Sequence, residues 1–413
     1  MNRKYIGIHL KDKKQLTENK KIENFIPKRV KISLKQHIGT KAFPIVKEGE
    51  EILCGQVIAI ENFSPNIHSS ISGKIEKITE GFIEIKNDYE ENKVENKKIK
   101  IDTINKFINL LKEYGIVGMG GAMFPTYKKF NIPNGKKIEN LVINAAECEP
   151  YLNADNRVII EKYNSIIKIL EFIKKLFNIK HIIIGIEKNR HEAIKILENS
   201  NKKKLYKIKK LKTIYPQGAE KQLIQSIFNK EIKTLPIDEN IVVLNISTCY
   251  AIYNAIFNNK PLTKRVVTIS GEAIKEPKNL LVPIGTDIKE LLEYCKINES
   301  KVYKKFLGGP MMGVEIDKNS TIIKGTNGVI AISKKEANIY PEKECISCGR
   351  CVDVCPMNLI PLKYVEYYRR NQLGKMNEYE LNKCIKCGCC QYICPVNQPL
   401  MKAIWTGVNY KNN

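Results

Sequence analysis

The sequence predicts a multidomain chain of mixed α/β and α+β class, on three observations. Short β-like pieces separated by turn signals fill the first hundred residues. Helical and strand-like segments then alternate, as in a largely parallel sheet covered by helices. Near the C-terminus stand two cysteine runs of identical spacing, CISCGRCVDVCP from Cys345 and CIKCGCCQYICP from Cys384.

Each region follows from its own pattern. In residues 1–100 the β-like pieces are KAFPIV, EILCGQVIAI, NIHSSISGKIEKI and GFIEI. KEGEEILCGQ followed by IHSSISGKIEKI resembles the barrel-sandwich domains that carry biotin or lipoate. Those present a lysine at a hairpin tip, and Pro65, Asn66 and Ile67 supply none, so a scaffold is expected and not a carrier. The charged residues 86–100 read as a solvated strand end or linker.

In 101–262, Ile159, Tyr163, Ile166, Leu170, Ile173 and Phe177 recur at helical spacing. HIIIGI reads as a buried strand, AEKQLIQSIF as a helix, IVVLNI as a strand and TCYAIYNAIF as a helix. Residues 263–332 change character. RVVTISGEA and NLLVPIGT are strand-like, DIKELLEYC is helical and FLGGPMMGVEI is strand-like again, which suggests a β-grasp-like module. GGPMMG reads as a turn, or as glycine at a close approach. Residues 333–405 form a mostly helical domain around the cysteines. The segment between the runs reads as a helix, a break at Gly374 and a second short helix.

At 413 residues the chain has room for about two to four domains, each with its own core. Its 43% hydrophobic and 27% charged residues are those of a globular protein. No run of 18 apolar residues predicts a membrane span. The start, MNRKYIGIHLKDKKQL, is basic without an apolar core, so no secretory signal and a cytoplasmic setting are expected. Net charge is +25. The lysines are spread among Ile and Asn, as in NKKKLYKIKKLKTIY, and not interleaved with stacking aromatics. That favours solvated faces over a lipid-facing surface, and either over nucleic-acid binding.

Both cysteine runs have the form C-x2-C-x2-C-x3-C-P. Three thiolates two residues apart can hold three corners of a cubane. The fourth, beside a proline, reaches the other cluster. The ligand sets should therefore cross: Cys345, Cys348, Cys351 and Cys394 on one 4Fe-4S cluster, Cys384, Cys387, Cys390 and Cys355 on the other. C-x2-C pairs also serve zinc, but the doubled run with its trailing proline is more specific to ferredoxin-type domains. Cys389 is a spare. Choosing it would break the spacing on both sides. Cys54, Cys148, Cys249 and Cys295 read as small buried hydrophobes.

The segment GIVGMGGAMFPTYKK, Gly115 to Lys129, packs four glycines into seven residues at a high cost in backbone entropy. Glycines before a basic residue suit a phosphate cradle. No Walker or Rossmann signature completes it, so a nucleotide loop and a structural turn both stand on these residues alone. LVINAAECEPYLNADNR follows, a strand ending in Asn144, Glu147 and Glu149, where α/β domains bind ligands.

These stretches, with VTISGEAIKEPKNLLVPIGT, GGPMMG, IGIHL, LKQHIGTKAFPIVKEGEEILCGQ and the twin cysteine runs, resemble the C subunit of the Rnf electron-transport complex. The resemblance covers almost the whole chain, in order. The middle is also similar to the NADH-oxidising FMN subunit of complex I, where GRGGAGFPTGLK and NADESEP occupy the corresponding places. The resemblance implies an SLBB-like β-grasp module and an FMN site bordered by Gly118, Gly120, Gly121 and Lys129. Asn144 and Glu147 would contact the flavin, and Asn245 and Thr248 its phosphate. Phe124, Gly218 and Glu220 would line an NADH site. Met123 stands at a family glycine, and Ala146 at a complex I aspartate.

The function so implied is electron exchange between NADH and a membrane ion-translocating complex, by a peripheral subunit on the cytoplasmic face, through FMN and two 4Fe-4S clusters. FMN suits the task because a hydride brings two electrons and a cubane takes one. Two rivals are a flavin subunit of a soluble NADH-linked reductase, disfavoured by the C-terminal cluster pair, and an electron-carrying adaptor with an inactive nucleotide site.

Overall fold

A computed structural model of the protein describes residues 7–95, 99–317, 319–337 and 340–411. Part of the basic N-terminus (1–6) and part of the charged stretch (96–98) lie outside the described residues.

After a first strand, β1 (Ile22–Asn24), that belongs to another sheet, the N-terminal region forms two small antiparallel sheets. One contains β2 (Arg29–Ser33), β4 (Glu51–Ile52), β7 (Gly73–Ile78) and β8 (Phe82–Asn87). The other contains β3 (Phe43–Pro44), β5 (Val57–Ile60) and β6 (Ile67–His68). Val30, Ile32, Ile58, Ile67, Ile75, Ile83 and Ile85 meet between them as the buried face of a sandwich. The loop where a carrier would show its lysine is turned inward. Asn66 O accepts a hydrogen bond from Lys324 Nζ at 3.2 Å, from another part of the chain.

The next region begins with α1 (Ile104–Glu113), capped by the Thr103 side chain, and the short α2 (Thr126–Phe130). Then come β9 (Asn140–Ala145), α3 (Ala154–Leu176), β10 (His181–Glu187), α4 (His191–Ser200), β11 (Lys207–Leu211), α5 (Glu220–Phe228), β12 (Ile241–Asn245) and α6 (Ile246–Asn258). The four strands are parallel in the order β11-β10-β9-β12. The chain walks outward from β9 to β11 and returns on the other side as β12. The sheet thus switches direction between β9 and β12, where α/β sheets open a crevice at the strand ends. Asn144 and Asn245 are register partners there.

The third region is a six-stranded sheet. Its strands β13 (Lys264–Ser270), β14 (Lys278–Pro283), β15 (Val302–Leu307), β16 (Val314–Glu315) and β17 (Gly328–Ser333) are joined by β1, in the order β1-β14-β13-β17-β15-β16. The helix α7 (Ile288–Tyr294), capped by Asp287, buries Ile288, Leu291 and Leu292 against it. The N-terminal segment therefore reaches far beyond the barrel. Ile8 bridges Tyr215 and Lys14 enters the α/β domain before β1 adds an edge strand here.

After α8 (Lys334–Ala337), the last region holds α9 (Arg350–Asp353), α10 (Pro361–Arg369), α11 (Cys389–Ile393) and α12 (Leu400–Lys411). The break expected at Gly374 falls earlier. Asn371, at φ 56°, ends α10 in a left-handed turn, and Gly374 lies inside a 3-10 helix, Leu373–Tyr379. Asparagine tolerates the left-handed conformation that closes a helix, so no glycine is needed at the turn.

Candidate functional site

Gly115 and the later glycines of the loop serve different ends. Gly115 has φ 67°, and a Cβ there would stand 2.4 Å from Asn66 O and 2.6 Å from Lys324 Nζ. It permits a three-way contact between the barrel, the α/β domain and the β-grasp module. Beyond it, Gly118 N donates to Phe124 O at 2.8 Å and closes residues 118–124 into a narrow loop. Thr248 Oγ1 accepts from Met119 N at 2.9 Å, and the buried Arg265 guanidinium donates to Met119 O. So anchored, the loop carries Gly120 over Asn245, where an added Cβ would lie 3.5 Å from the Asn245 side chain. Gly121, at φ 111°, faces open space. Met123 takes φ 52°, and its side chain packs on Gly325 of the neighbouring module.

The strand ends beneath the loop are joined by polar side chains. Asn144 Nδ2 donates to Gly218 O at 2.8 Å, and its Oδ1 accepts from Ala146 N. Glu147 is buried and caps α3, its two oxygens accepting from Asp155 N and Asn156 N at 3.0 and 3.3 Å. Its negative charge suits that helix end. Asn245 Oδ1 accepts from Ser247 N and Thr248 N at the start of α6. Asn245 Nδ2 donates to Asp155 Oδ2 at 2.6 Å. Asp155, which also accepts from Ser247 Oγ, is a member of this network that sequence reasoning missed. Burial, and then the Glu147 charge, push its carboxyl up to about 6. Its only signal in the sequence is an acidic residue in the first turn of a helix that follows a ligand-type strand end.

Two pairs of expected site residues meet directly. Lys129 Nζ donates to Glu220 Oε2 at 2.7 Å and to Val243 O at 2.9 Å, which puts an expected flavin neighbour against an expected nicotinamide-site residue. Gly218 joins Asn144 and lies so close to Ala146 that a Cβ would fall 2.4 Å from Ala146 O. Phe124 is more than a third exposed at the mouth of the loop. Lys14 supports the crevice from outside. Fully buried, it donates to Glu147 O and Leu152 O at 2.6 Å each, and burial lowers it to about 8. The crevice fits a flavin in one specific respect: Gly120 leaves free the space beside Asn245 that a side chain would fill.

The cysteines of the two runs interleave. One cavity is lined by Cys355 together with Cys384, Cys387 and Cys390, and by Met357, Leu359, Met401 and Ile404. Cys384 and Cys390 each lie close enough to Cys355 to couple to it, whereas the cysteines that couple to Cys351 are Cys394 and Cys345. Among the described residues, no three cysteine, histidine or carboxylate groups converge as a single-ion site. Cys389 lines the same cavity, a fifth thiol, and an apolar cavity so ringed by thiols suits a cubane better than a tetrahedral zinc. Cys389 is buried with Tyr215, beside Cys387.

This second set packs against the α/β domain. Tyr215 OH donates to Cys387 O at 2.7 Å, and Gln222 Nε2 donates to Pro356 O at 3.2 Å. Met311, in GGPMMG, brings its carbonyl against Gly388. Cys345 and Cys348 of the other set are exposed.

Four family models match the chain in order: the RnfC barrel sandwich hybrid domain at 4–99, the Nuo51 FMN-binding domain at 111–254, the SLBB domain at 266–315 and the 4Fe-4S dicluster domain at 344–398. The protein is 39% identical over 374 residues to the C subunit of the proton-translocating ferredoxin:NAD(+) oxidoreductase complex of Clostridium ljungdahlii, covering 86% of this chain and 82% of that protein. It is 35% identical to the Na(+)-translocating counterpart of Acetobacterium woodii, covering 84% and 83%. The C subunit of the ion-translocating oxidoreductase complex of Rhodobacter capsulatus is also 35% identical, covering 86% and 73%. A solved NAD+-reducing [NiFe]-hydrogenase shares the fold, with a TM-score of 0.52 at 13% identity over 73% of this chain and 63% of that one. Barrel, flavin-type crevice, β-grasp module and paired cysteine runs stand in one order along this chain, its relatives match it over most of their length, and it belongs to the family formed by the C subunits of ion-translocating oxidoreductase complexes.

Proposed function

We propose that the protein is the peripheral subunit through which such a complex exchanges electrons with NADH, on the cytoplasmic face of the membrane. The observation that carries this reading is the docking of the cavity lined by Cys355, Cys384, Cys387 and Cys390 onto the α/β domain through Tyr215 and Gln222, and onto the β-grasp module through Met311. No described helix is long and apolar enough to cross a membrane, which suits a peripheral attachment through other subunits.

In this reading the four regions 1–100, 101–262, 263–332 and 333–405 divide the work. Gly118, Gly120, Gly121, Lys129, Asn144, Glu147, Asn245 and Thr248 hold FMN, which supplies the conversion of a two-electron hydride into single electrons. Asn245 and Thr248 act by holding the loop in place, since Asn245 already takes the first N–H groups of α6. Phe124, Gly218 and Glu220 receive NADH. The Lys129–Glu220 pair balances charge at the mouth. Cys384, Cys387, Cys390 and Cys355 hold the cluster nearer the crevice. Cys345, Cys348, Cys351 and Cys394 hold the one nearer the surface, facing another member of the complex.

Iron, sulfide and flavin measured together in anaerobically purified protein test this. About eight irons, eight sulfides and one FMN are expected, with NADH bleaching the flavin. Gly120→Val should remove the flavin and keep the irons, because the added Cβ meets Asn245 only at contact distance. Intact clusters without flavin in the unmodified protein would make the chain an adaptor instead.

A further inference from the structure

Glu149 takes no part in the flavin crevice as described above, yet it is largely withdrawn from water: burial pushes its carboxyl up to about 7, against the pull of the Met311 and Met312 amides and then the Lys14 charge. It leaves the end of β9 two residues after Glu147 and turns toward GGPMMG. Its Oε2 accepts from Met311 N at 3.0 Å and its Oε1 from Met312 N at 2.8 Å. A Cβ on Gly309 would lie 2.2 Å from Glu149 Oε2, so only glycine lets the turn close on the carboxylate. On its far side, the same turn sets Met311 O where a Cβ on Gly388 would stand 3.0 Å away. Gly388 lies between Cys387 and Cys390, at φ 77°. Tyr215, which donates to Cys387 O, packs in the same cluster as Met311 and Cys387.

Withdrawing a carboxylate from water is expensive unless its oxygens are hydrogen-bonded. Here two backbone N–H groups hold it, with the Lys14 charge and the Tyr215 hydroxyl acting on it as well, and hydrogen bonds to a carboxylate of this kind are the strong ones. An apolar side chain would fill the same volume but could not hold the two amides. The chemistry therefore specifies the turn, and the turn specifies where the second cysteine loop rests.

We propose that Glu149 is a positioning residue: by clamping Met311 N and Met312 N it seats the 308–313 turn against Gly388 and so sets the separation between the flavin crevice and the cluster of Cys384, Cys387, Cys390 and Cys355. This rests on the functional reading given above for what that separation does, but the clamp itself does not depend on it.

The test uses the complete holoprotein with Glu149→Gln and Glu149→Ala. The electron paramagnetic resonance of dithionite-reduced samples reads each cluster without the flavin. The signal of the cluster held by Cys384, Cys387 and Cys390 should change, most in Glu149→Ala, while that of the other cluster stays put. In rapid mixing with saturating NADH, flavin bleaching should keep its rate. Cluster reduction should slow by roughly tenfold in Glu149→Ala, the effect of a barrier raised by about 1.4 kcal/mol, and by less in Glu149→Gln, which keeps one acceptor. If the unmodified protein proves to lack flavin, the function fails and the resonance arm still decides the clamp. Unchanged cluster signals with a raised KM for NADH would overturn the proposal and assign the carboxylate to the nucleotide. Equal changes in both clusters would overturn it too, since a general loss of packing is not a clamp.

Discussion

Cys345 and Cys348 of the first cysteine run stand exposed, whereas Cys387, Cys389 and Cys390 of the second are buried. The runs share one spacing and one trailing proline. What differs is what reaches them from other domains. Tyr215, Gln222 and Met311 all contact residues beside the second ligand set (Cys387, Pro356 and Gly388). Identical motifs thus specify identical metal chemistry, while tertiary contacts assign each its place between the crevice and the surface.

Three changes probe that difference, from the largest effect to the smallest. Gly218→Ala acts at the crevice. The new methyl would sit 2.4 Å from Ala146 O, an overlap that only backbone movement relieves. Overpacking of this kind costs roughly 1–3 kcal/mol. Flavin affinity should fall by at least an order of magnitude, with both clusters retained. Loss of iron from the variant would mean that crevice and cluster domain fold as one unit.

Lys324→Met acts far from both runs. The Lys324 ammonium is buried, donating to Gly115 O and Asn66 O, and burial lowers it from its ordinary 10.5 to about 7. His68 lies beside it, itself lowered to about 3 by burial and then by the Lys324 charge. Between about pH 7 and 10.5 the unfolded chain keeps the lysine proton and the folded chain has lost it. Stability should therefore rise with pH across that window, by an amount on the order of 5 kcal/mol. Denaturant titrations should show that slope flattened in Lys324→Met, with both cluster spectra unchanged. An equal slope in both proteins would show that Lys324 stays charged.

Tyr215→Phe is the mildest. It removes one hydrogen bond to Cys387 O, worth about 1 kcal/mol. Only the spectrum of the second cluster should shift. A shift in the first cluster would break the comparison, because the Tyr215 hydroxyl reaches the second run and not Cys345, Cys348 or Cys351.

How much of this is legible in the sequence depends on the range of the interaction. The cysteine spacing is local, and the expectation of crossed ligand sets follows from it. The alternating middle region reads correctly because buried strands and amphipathic helices carry their period in a few residues. Residues 7–24 cannot be read the same way. A three-residue strand, Ile22–Asn24, has no period of its own, and its partner β14 lies more than 250 positions on. Asp155 is hidden for a similar reason, since its partners Asn245 and Ser247 are 90 and 92 residues away. Glycine is the most ambiguous letter. Gly115, Gly120 and Gly309 look alike in sequence, but they serve a domain junction, an open cradle and a clamp respectively.

The central claim is that the ligand set containing Cys355 stands between the crevice and the exposed set, and Cys355→Ser tests it most directly. Replacing that thiolate should remove or alter the cluster of Cys384, Cys387 and Cys390, although Cys355 belongs to the first run. In anaerobic resonance spectra, NADH should then bleach the flavin but leave the remaining cluster oxidised, while dithionite still reduces it. Reduction of that remaining cluster by NADH at the unmodified rate would contradict the account.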